Sequence, residues 1–251
     1  LCVVGNVTVY WIDTKKALAA ARSNPPQPVQ PVWSTNAVNP AGALWSAVLI
    51  ESNLLTVILM VSSNPVQYTV ITLAAQDGSM VSNGIFAVQL AEQVTPVIGK
   101  VPYLGNRQTL SLINSGAGIW AFPVPFLAES HYNFIYAPPP SGGFGRGLAL
   151  YDGVIYVGGN NGMLYSLAAP DGSAEFQQVL EAAVTQGAFA AGPVAVSTGS
   201  GGGAIVFSGQ QGGSNSIWVY DLATTDFVQI DTDQLLVTQL TVDEHGVLYA
   251  A

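Results

Sequence analysis

The chain has 251 residues, of which 49% are hydrophobic and only 8% are charged, and 6 Lys and Arg against 15 Asp and Glu give it a net charge of −9. This balance argues against a nucleic-acid partner, because neutralising phosphates requires clustered cations. Membrane insertion is not expected either, since the longest apolar runs, such as Leu54 to Val61, have the length of a strand and a spanning helix needs about 20 residues.

The N-terminal region predicts a pair of short strands at residues 1–6 and 9–13. The first strand contains the one cysteine, Cys2, which excludes an internal disulfide framework and is predicted to be a small buried side chain. The N-glycosylation sequon Asn6-Val7-Thr8 lies at the predicted turn, where Asn6 would be accessible to modification. Residues 18–43 follow as a predicted Pro-rich loop, extended like polyproline through Pro25-Pro26-Gln27-Pro28-Val29-Gln30-Pro31.

Similar strand pairs recur along the rest of the chain. They are predicted at residues 55–61 with 68–73, at 110–113 with 119–122, and at 204–209 with 217–222, while 246–250 matches only the first strand of a pair. Further strands are predicted at 44–50, 84–90 and 192–197. A Pro- and Gly-rich loop is predicted at 137–147, and residues 176–183 predict a short helix or a strand-linking loop.

The clearest copy of the strand pair lies at residues 153–167 and is closed by Pro170-Asp171-Gly172. Asn161-Gly162 predicts a tight primed turn, because both residues tolerate a positive φ. The first strand is almost wholly apolar, which predicts burial on both faces. The second strand carries Tyr165, which is predicted to occupy a more exposed position.

The spacing of these copies predicts the fold. The residues that close each second strand are 61, 49, 45 and 55 positions apart: Ile12, Leu73, Phe122, Leu167 and Leu222. A four-stranded propeller blade takes about 40–50 residues. We therefore predict an all-β chain, a β-propeller of four-stranded antiparallel blades with about five to six blades and at most four of them complete. Residues 1–251 are predicted to form a single propeller domain or, because both ends fall within a repeat, part of a larger propeller.

The repeat also carries a family resemblance. The pattern Gly-x-Ile-Tyr-Val-Gly-x-x-x-Gly-x-Leu-Tyr-Ser-Leu-x-x-x-x-Gly at residues 153–172 resembles the repeat of pyrroloquinoline-quinone-type β-propellers. That superfamily includes quinoprotein alcohol dehydrogenases and a non-enzymatic lipoprotein of the outer-membrane β-barrel assembly machinery. Residues 241–249 are similar in the same way to propeller strands introduced by Asp-x-x-Gly.

For the quinoprotein enzymes the resemblance implies a cofactor on the propeller axis with Ca²⁺, an Arg, carboxylates and a disulfide of adjacent cysteines. This chain has one Cys, and its three Arg residues lie in predicted loops: Arg22, Arg107 and Arg146. Ala174-Glu175-Phe176 also stands where those repeats carry a tryptophan. Redox activity is therefore not expected, and no cofactor is predicted, with Ca²⁺ left as an open alternative.

Other motifs for chemistry are weak. Gly116-Ala117-Gly118-Ile119-Trp120-Ala121 matches a dinucleotide fingerprint, but Pro123 and Pro125 prevent the helix which that motif requires. The two histidines, His131 and His245, are predicted to be turn or rim residues, and no nucleophile elbow is present. Asp231-Thr232-Asp233 offers two carboxylates to Ca²⁺, which takes six to eight ligands. Together with Asp226, Asp243 and Glu244 it is predicted to form a solvated acidic rim.

These observations predict no catalytic, cofactor-binding or metal-binding residue, and Asn6 is the one predicted modification site. The leading hypothesis is a non-catalytic propeller that serves as a structural or protein-interaction module in an extracellular or surface assembly. The alternative is a quinoprotein-like oxidoreductase or a metal-dependent hydrolase on the same scaffold. A third hypothesis is glycan binding through the tryptophans, which are Trp11, Trp33, Trp45, Trp120 and Trp218.

Overall fold

A computed structural model of the chain describes residues 2–4, 8–36, 44–51, 53–63, 66–87, 97–114, 118–127, 133–136, 143–169, 175–197, 202–232, 235–243 and 246–251. These residues form β-strands and one helix. They divide into two compact units, one of Leu1–Gln89 with Phe122–His131 and one of Leu90–Ala121 with Tyr132–Ala251. The single domain over residues 1–251 stays a prediction.

In the first unit, three antiparallel strands form sheet 1: β1 (Cys2–Val4), β2 (Thr8–Trp11) and β3 (Trp33–Asn36). A nine-residue helix, α1 (Thr14–Arg22), connects β2 to β3. The predicted loop over residues 18–43 is therefore wrong at residues 18–22 and 33–36, and residues 37–43 lie outside the described part. The helix forms because its Ala, Leu, Lys and Arg residues are strong helix formers and the first proline comes only at Pro25.

Sheet 2 also lies in the first unit. Its members are neighbours in chain order: β4 (Leu44–Glu51), β5 (Leu54–Ser63), β6 (Val66–Ala74) and β7 (Met80–Ala87). Sheets 1 and 2 share one apolar core, which includes Val9, Trp33, Leu55 and Leu73. The Trp33 indole is fixed in this core because its Nε1 donates a hydrogen bond to Ala75 O at 2.9 Å.

The remaining strands form three more four-stranded sheets and one pair, again in chain order. Sheet 3 contains β8 (Val97–Tyr103), β9 (Asn106–Asn114), β10 (Ile119–Pro123) and β11 (Asn133–Tyr136). Sheet 4 contains β12 (Phe144–Tyr151), β13 (Val154–Gly159), β14 (Met163–Ala168) and β15 (Gln177–Ala183). Sheet 5 contains β16 (Ala191–Ser197), β17 (Gly203–Gln211), β18 (Ser214–Asp221) and β19 (Phe227–Asp231). Sheet 6 contains β20 (Leu240–Val242) and β21 (Leu248–Ala250).

The four-stranded sheets confirm the predicted repeat. They begin at residues 44, 97, 144 and 191, so they are 47 to 53 residues apart. Within sheets 4 and 5, the second strands, β13 and β17, are almost wholly buried, whereas the fourth strands, β15 and β19, are mostly exposed. Burial of β13 and β17 on both faces explains their continuous apolar sequences, because an apolar cluster lies on each side of these two strands.

The hairpin between β13 and β14 has a different turn from the predicted one. Gly162 has φ +80° and donates a hydrogen bond from its N–H to Gly159 O at 3.1 Å, but Asn161 does not have a positive φ. A left-handed glycine at the end of the turn is the pattern of a three-residue hairpin loop with a bulge. Asn161 contributes through its side chain instead, because its Oδ1 accepts from Met163 N at 3.2 Å.

Tyr165 is buried, and its predicted exposure is wrong. The side chain is 0% exposed and packs in the core between sheets 3 and 4. Its hydroxyl, which would be costly to bury alone, accepts a hydrogen bond from Asn161 Nδ2 at 2.9 Å. The ring finds room because residue 159 is glycine: a Cβ there would lie 2.7 Å from the Tyr165 ring.

Two further predictions require correction. The predicted helix or loop at residues 176–183 is instead the strand β15, paired with β14 from Met163↔Ala183 to Ala168↔Gln177. The ladder of backbone hydrogen bonds outweighs a helix propensity that differs by only about 0.7 kcal/mol per residue between ordinary residues. The predicted loop at 137–147 ends earlier, because Phe144 to Gly147 belong to β12, while residues 137–142 lie outside the described part.

Candidate interaction surface

Several predicted site residues lie outside the described part of the structure: Asn6, His131, Asp233, Glu244 and His245. The side chains of Cys2, Trp45 and Arg146 are likewise not described. The glycine fingerprint at 116–121 is described only from Gly118, and a strand, β10, begins at Ile119. The helix that a dinucleotide site requires does not form there.

Two described acidic residues near the C-terminus, Asp221 and Asp243, stabilise turns. The Asp243 carboxylate accepts hydrogen bonds from Val247 N at 2.9 Å and from the Tyr249 hydroxyl at 3.1 Å, and so closes the turn between β20 and β21. Asp221 Oδ1 accepts from Ala223 N at 2.7 Å in the turn between β18 and β19. Among the residues that the structure describes, no group of three or more His, Cys, Asp or Glu residues could hold a metal ion.

Of the other predicted candidates, Arg107 lies in an exposed ion pair and two of the tryptophans lie in apolar cores. Arg107 pairs with Asp152 at 3.2 Å, and both side chains are well exposed, so this ion pair contributes little to stability. Trp33 and Trp218 are buried, at 9% and 8% exposure. The Trp11 ring stacks on Trp33 with centroids 6.0 Å apart. The rings of Trp33 and Trp218 are therefore core elements, which removes two of the five aromatic platforms from the glycan hypothesis.

Burial raises the pKa values of two tyrosines between sheets 4 and 5. Desolvation raises the pKa of Tyr156 to about 12, and the nearby Tyr220 and Tyr151 contribute secondarily. Tyr220 also has a raised pKa because of burial, and its ring lies 6.5 Å from that of Tyr156. These phenols belong to an apolar core and remain neutral at physiological pH, so the shifts describe packing.

A different feature marks a surface: one face of sheet 5 is apolar and only partly covered. On this face, Ile217 of β18 pairs with Ile230 of β19, and Val219 pairs with Val228. Val228 and Ile230 remain 53% and 49% exposed, although the neighbouring Ile217 and Val219 pack against a core cluster. The opposite face of β19 is used in packing, because Phe227 stacks on Tyr220 with ring centroids 4.7 Å apart.

The segment after β19 returns to this face through Val237, which belongs to the cluster there, and it also carries two exposed leucines. Ser208 Oγ, which is buried, donates to Val237 O and accepts from Ala191 N at 2.9 Å. This anchor places Val237 in the core at 9% exposure. Leu235 and Leu236 stay outside, at 73% and 50% exposure. We call Val228, Ile230, Leu235 and Leu236 the apolar flank of sheet 5.

The apolar flank was not predicted from the sequence. Its signal was present, because Val228 and Ile230 alternate with Phe227, Gln229 and Asp231, and such alternation marks a strand with two different faces. The sequence alone, however, does not decide which of the two faces is buried. β19 is also an edge strand of its sheet, and an edge strand presents backbone donors and acceptors to a further strand.

Comparisons with known proteins show the fold but no family. No protein-family model and no curated protein matches the chain. Among solved structures, BBS1N in complex with ARL6DN aligns with a TM-score of 0.60 and 12% identity, over 99% of this chain and 69% of that chain. A candidate 6-phosphogluconolactonase from Bacteroides uniformis aligns with a TM-score of 0.56 and 13% identity, over 97% of this chain and 70% of that chain. A second, from Bacteroides fragilis, has a TM-score of 0.54 and 13% identity, over 97% of this chain and 69% of that chain.

These neighbours have β-propeller-like folds, and sheets 2 to 5 have the antiparallel four-stranded form of propeller blades. Within the described residues, no helix is both long and apolar enough to cross a bilayer. The chain is an all-β protein with a β-propeller fold built of four-stranded antiparallel blades.

Proposed function

We propose that this protein is a non-catalytic propeller that binds a protein partner through the apolar flank of sheet 5. The observation that carries the proposal is the exposure of Val228, Ile230, Leu235 and Leu236 in one region, beside the core cluster of Val206, Val237 and Leu240. Contiguous exposed apolar surface is disfavoured in water, and larger patches mark protein interaction sites. The partner should therefore present an apolar surface of its own.

One of the neighbouring structures is compatible with this function. BBS1N was solved in complex with ARL6DN, so a propeller of similar architecture binds another protein. The edge position of β19 adds a second mode of recognition, because backbone hydrogen bonds to a partner strand could accompany apolar contact.

Site-specific photo-crosslinking tests this function in the native source. A benzophenone amino acid replacing Val228 should give a discrete protein adduct, and Ile230→Lys in the same chain should remove that adduct by placing a charge in the contact. The same photoreactive residue at Val179, which is 69% exposed on the edge strand β15, is the matched control. Equal adducts from both positions, or none from Val228, would contradict the proposal.

We also propose that the repeats belong to the pyrroloquinoline-quinone-type superfamily, in a protein of an extracellular or surface assembly. The supporting feature is the repeat at residues 153–172, in which Ile155, Val157, Leu164, Tyr165 and Leu167 are all buried. Glycosylation of Asn6 would accompany that location, and intact-mass measurement before and after deglycosylation of the native protein tests it.

Binding of a partner glycan and binding of Ca²⁺ are secondary proposals. Glycan arrays test the first, and elemental analysis tests the second.

The alternative function is hydrolysis on the same scaffold. The observation favouring it is the likeness to two candidate 6-phosphogluconolactonases. Hydrolysis of 6-phosphogluconolactone well above the spontaneous rate by the purified protein would support this alternative. Bound quinone, detected by absorbance, would support the oxidoreductase instead.

A further inference from the structure

Positive charge is concentrated on one short helix of this acidic protein. Of the 6 Lys and Arg residues in the chain, Lys15, Lys16 and Arg22 all lie on α1, and Asp13 is the one acidic residue in the surrounding stretch 8–36. Within the described residues, none of these three cations forms an ion pair. The helix is therefore a local cationic surface on a chain whose net charge is −9.

The helix does not contribute to a core, yet hydrogen bonds hold both of its ends. None of its residues is buried, and a nine-residue helix is marginal in water by itself. At its start, the Asp13 carboxylate accepts from Lys15 N at 2.9 Å and from Lys16 N at 3.2 Å. At its end, Ala20 O accepts from Ser23 Oγ at 2.6 Å and from Gln27 N at 3.1 Å. The helix and the following Pro-rich segment are thus joined into one unit.

A groove of about 420 Å³ lies between the helix and this segment. Its lining exposes polar and apolar surface in nearly equal parts, with Lys16 as the charged member and Pro28, Val29, Pro31 and Val32 on the opposite wall. The volume falls within the range of about 300–1,000 Å³ that is typical of pockets for small ligands and side chains. Proline rings restrict the backbone on one wall, so little conformational entropy is lost when the groove is filled.

We propose that this groove binds an acidic peptide segment of a partner protein, with one aromatic or large aliphatic side chain inserted between α1 and Pro28–Val32. A carboxylate beside that anchor would lie near Lys16, which lines the groove, and further carboxylates along the helix would complement the charges of Lys15 and Arg22. A concave site fits a protruding side chain better than a flat lipid surface. Nucleic acid is disfavoured because the rest of the chain is strongly acidic.

This site is independent of the proposed partner surface on sheet 5. It is formed by different residues. Its proposed ligand is acidic, whereas the proposed partner of the apolar flank presents an apolar surface. Variants of α1 should therefore leave the photo-crosslink from Val228 unchanged, and Ile230→Lys should leave acidic-peptide binding unchanged. The two proposals can consequently fail separately.

Fluorescence anisotropy with a labelled short peptide, made of glutamates around a central tryptophan, tests the site on the full chain. We expect saturable binding that weakens with rising salt, because surface attractions are screened. The double variant Lys15→Glu/Lys16→Glu should weaken binding by about tenfold or more, since two attractions become repulsions. Val29→Asp places a carboxylate in the groove. It should weaken peptide binding, because the apolar anchor of the peptide would then lie against a charge.

Lys100→Glu is the control, because it makes the same Lys-to-Glu substitution at an exposed position of β8, with half the charge change of the double variant, and should leave affinity unchanged. Replacing the peptide's tryptophan by serine should weaken binding, and replacing its glutamates by lysines should abolish it. Bound peptide should also slow amide exchange in α1 and residues 25–32. The proposal is overturned if the acidic peptide does not bind saturably, if Lys100→Glu weakens binding as much as the double variant, or if phosphatidylserine vesicles bind through the same lysines while the peptide does not.

Discussion

At the scale of single residues, glycines decide where aromatic rings can lie in the cores. Gly158 faces the Phe189 ring so closely that a Cβ would lie 2.4 Å from it, and that ring stacks on Phe207 with centroids 4.3 Å apart. Gly159 likewise leaves room for the Tyr165 ring, which a Cβ at position 159 would approach too closely. The Gly158-Gly159 step at the end of β13 therefore allows packing on both faces of the strand, while Gly162 alone supplies the left-handed turn.

Gly158→Ala is expected to destabilise the protein by about 1–3 kcal/mol, because overpacking forces the Phe189 ring to move. Gly158 does not have a positive φ, so this cost contains no backbone strain. Chemical denaturation measures it. In a Phe189→Leu background the same substitution should cost much less, since the clashing ring is absent; an equal cost in both backgrounds would show that the ring is not the cause.

Tyr156 should make the stability depend on pH at the alkaline end. Its pKa is raised to about 12 in the folded state, so the native protein holds the phenolic proton more tightly than the unfolded chain. The contribution is fully present below the unfolded value near 10 and is lost as pH rises from about 10 to 12. Tyr156→Phe should flatten this decline when unfolding midpoints are followed across that range. A decline of the same steepness in the variant would assign it to other groups.

At the scale of elements, the strands were more predictable than the helix. Every predicted strand pair is present, because alternation and turn residues are local signals. α1 was missed because the prolines at 25–31 indicate an extended loop, although the residues before them are strong helix formers. β15 was missed for the opposite reason: its residues favour a helix locally, and only the hydrogen-bonding edge of β14 makes them a strand.

Removal of the helix cap should loosen α1 without unfolding the sheets. Asp13→Ala removes the acceptor for Lys15 N and Lys16 N, so amide exchange in residues 14–22 should accelerate, while Asp13→Ser should largely preserve protection. The backbone hydrogen bond from Lys16 lowers the pKa of Asp13, and the neighbouring lysine charges contribute. Capping is therefore present above the unfolded pKa and is lost as pH falls through the lower folded value. Amide exchange in α1 that changes neither with Asp13→Ala nor with falling pH would contradict this role.

At the scale of the whole molecule, neighbouring sheets of the second unit pack on each other in chain order. Clusters join sheets 3 and 4, then 4 and 5, then 5 and 6. Such a series makes stability a property of neighbouring contacts. The link between sheets 5 and 6 is the smallest of the three, and Ser208 provides its buried hydrogen bonds.

Ser208→Ala should therefore loosen the C-terminal segment selectively. Ala191 N loses its acceptor and Val237 O loses its donor, and leaving buried groups unsatisfied costs about 1–3 kcal/mol each. Amide exchange should accelerate in residues 235–251, whereas Ser197→Ala, at an exposed position of β16, should have little effect. Uniform acceleration over sheets 3 to 5 would instead indicate that the segment is part of the global unfolding unit.

The sequence by itself determined the all-β class, the four-stranded repeat and its spacing, because hydrophobic alternation, glycine turns and chain length act locally along the backbone. Tertiary structure decided which faces are buried, as at Tyr165, and which segment becomes the fourth strand, as at β15. It also decided that the apolar residues of β19 stay exposed and that α1 and the prolines enclose a groove. These outcomes depend on side chains that are distant in sequence, so only packing in three dimensions selects them.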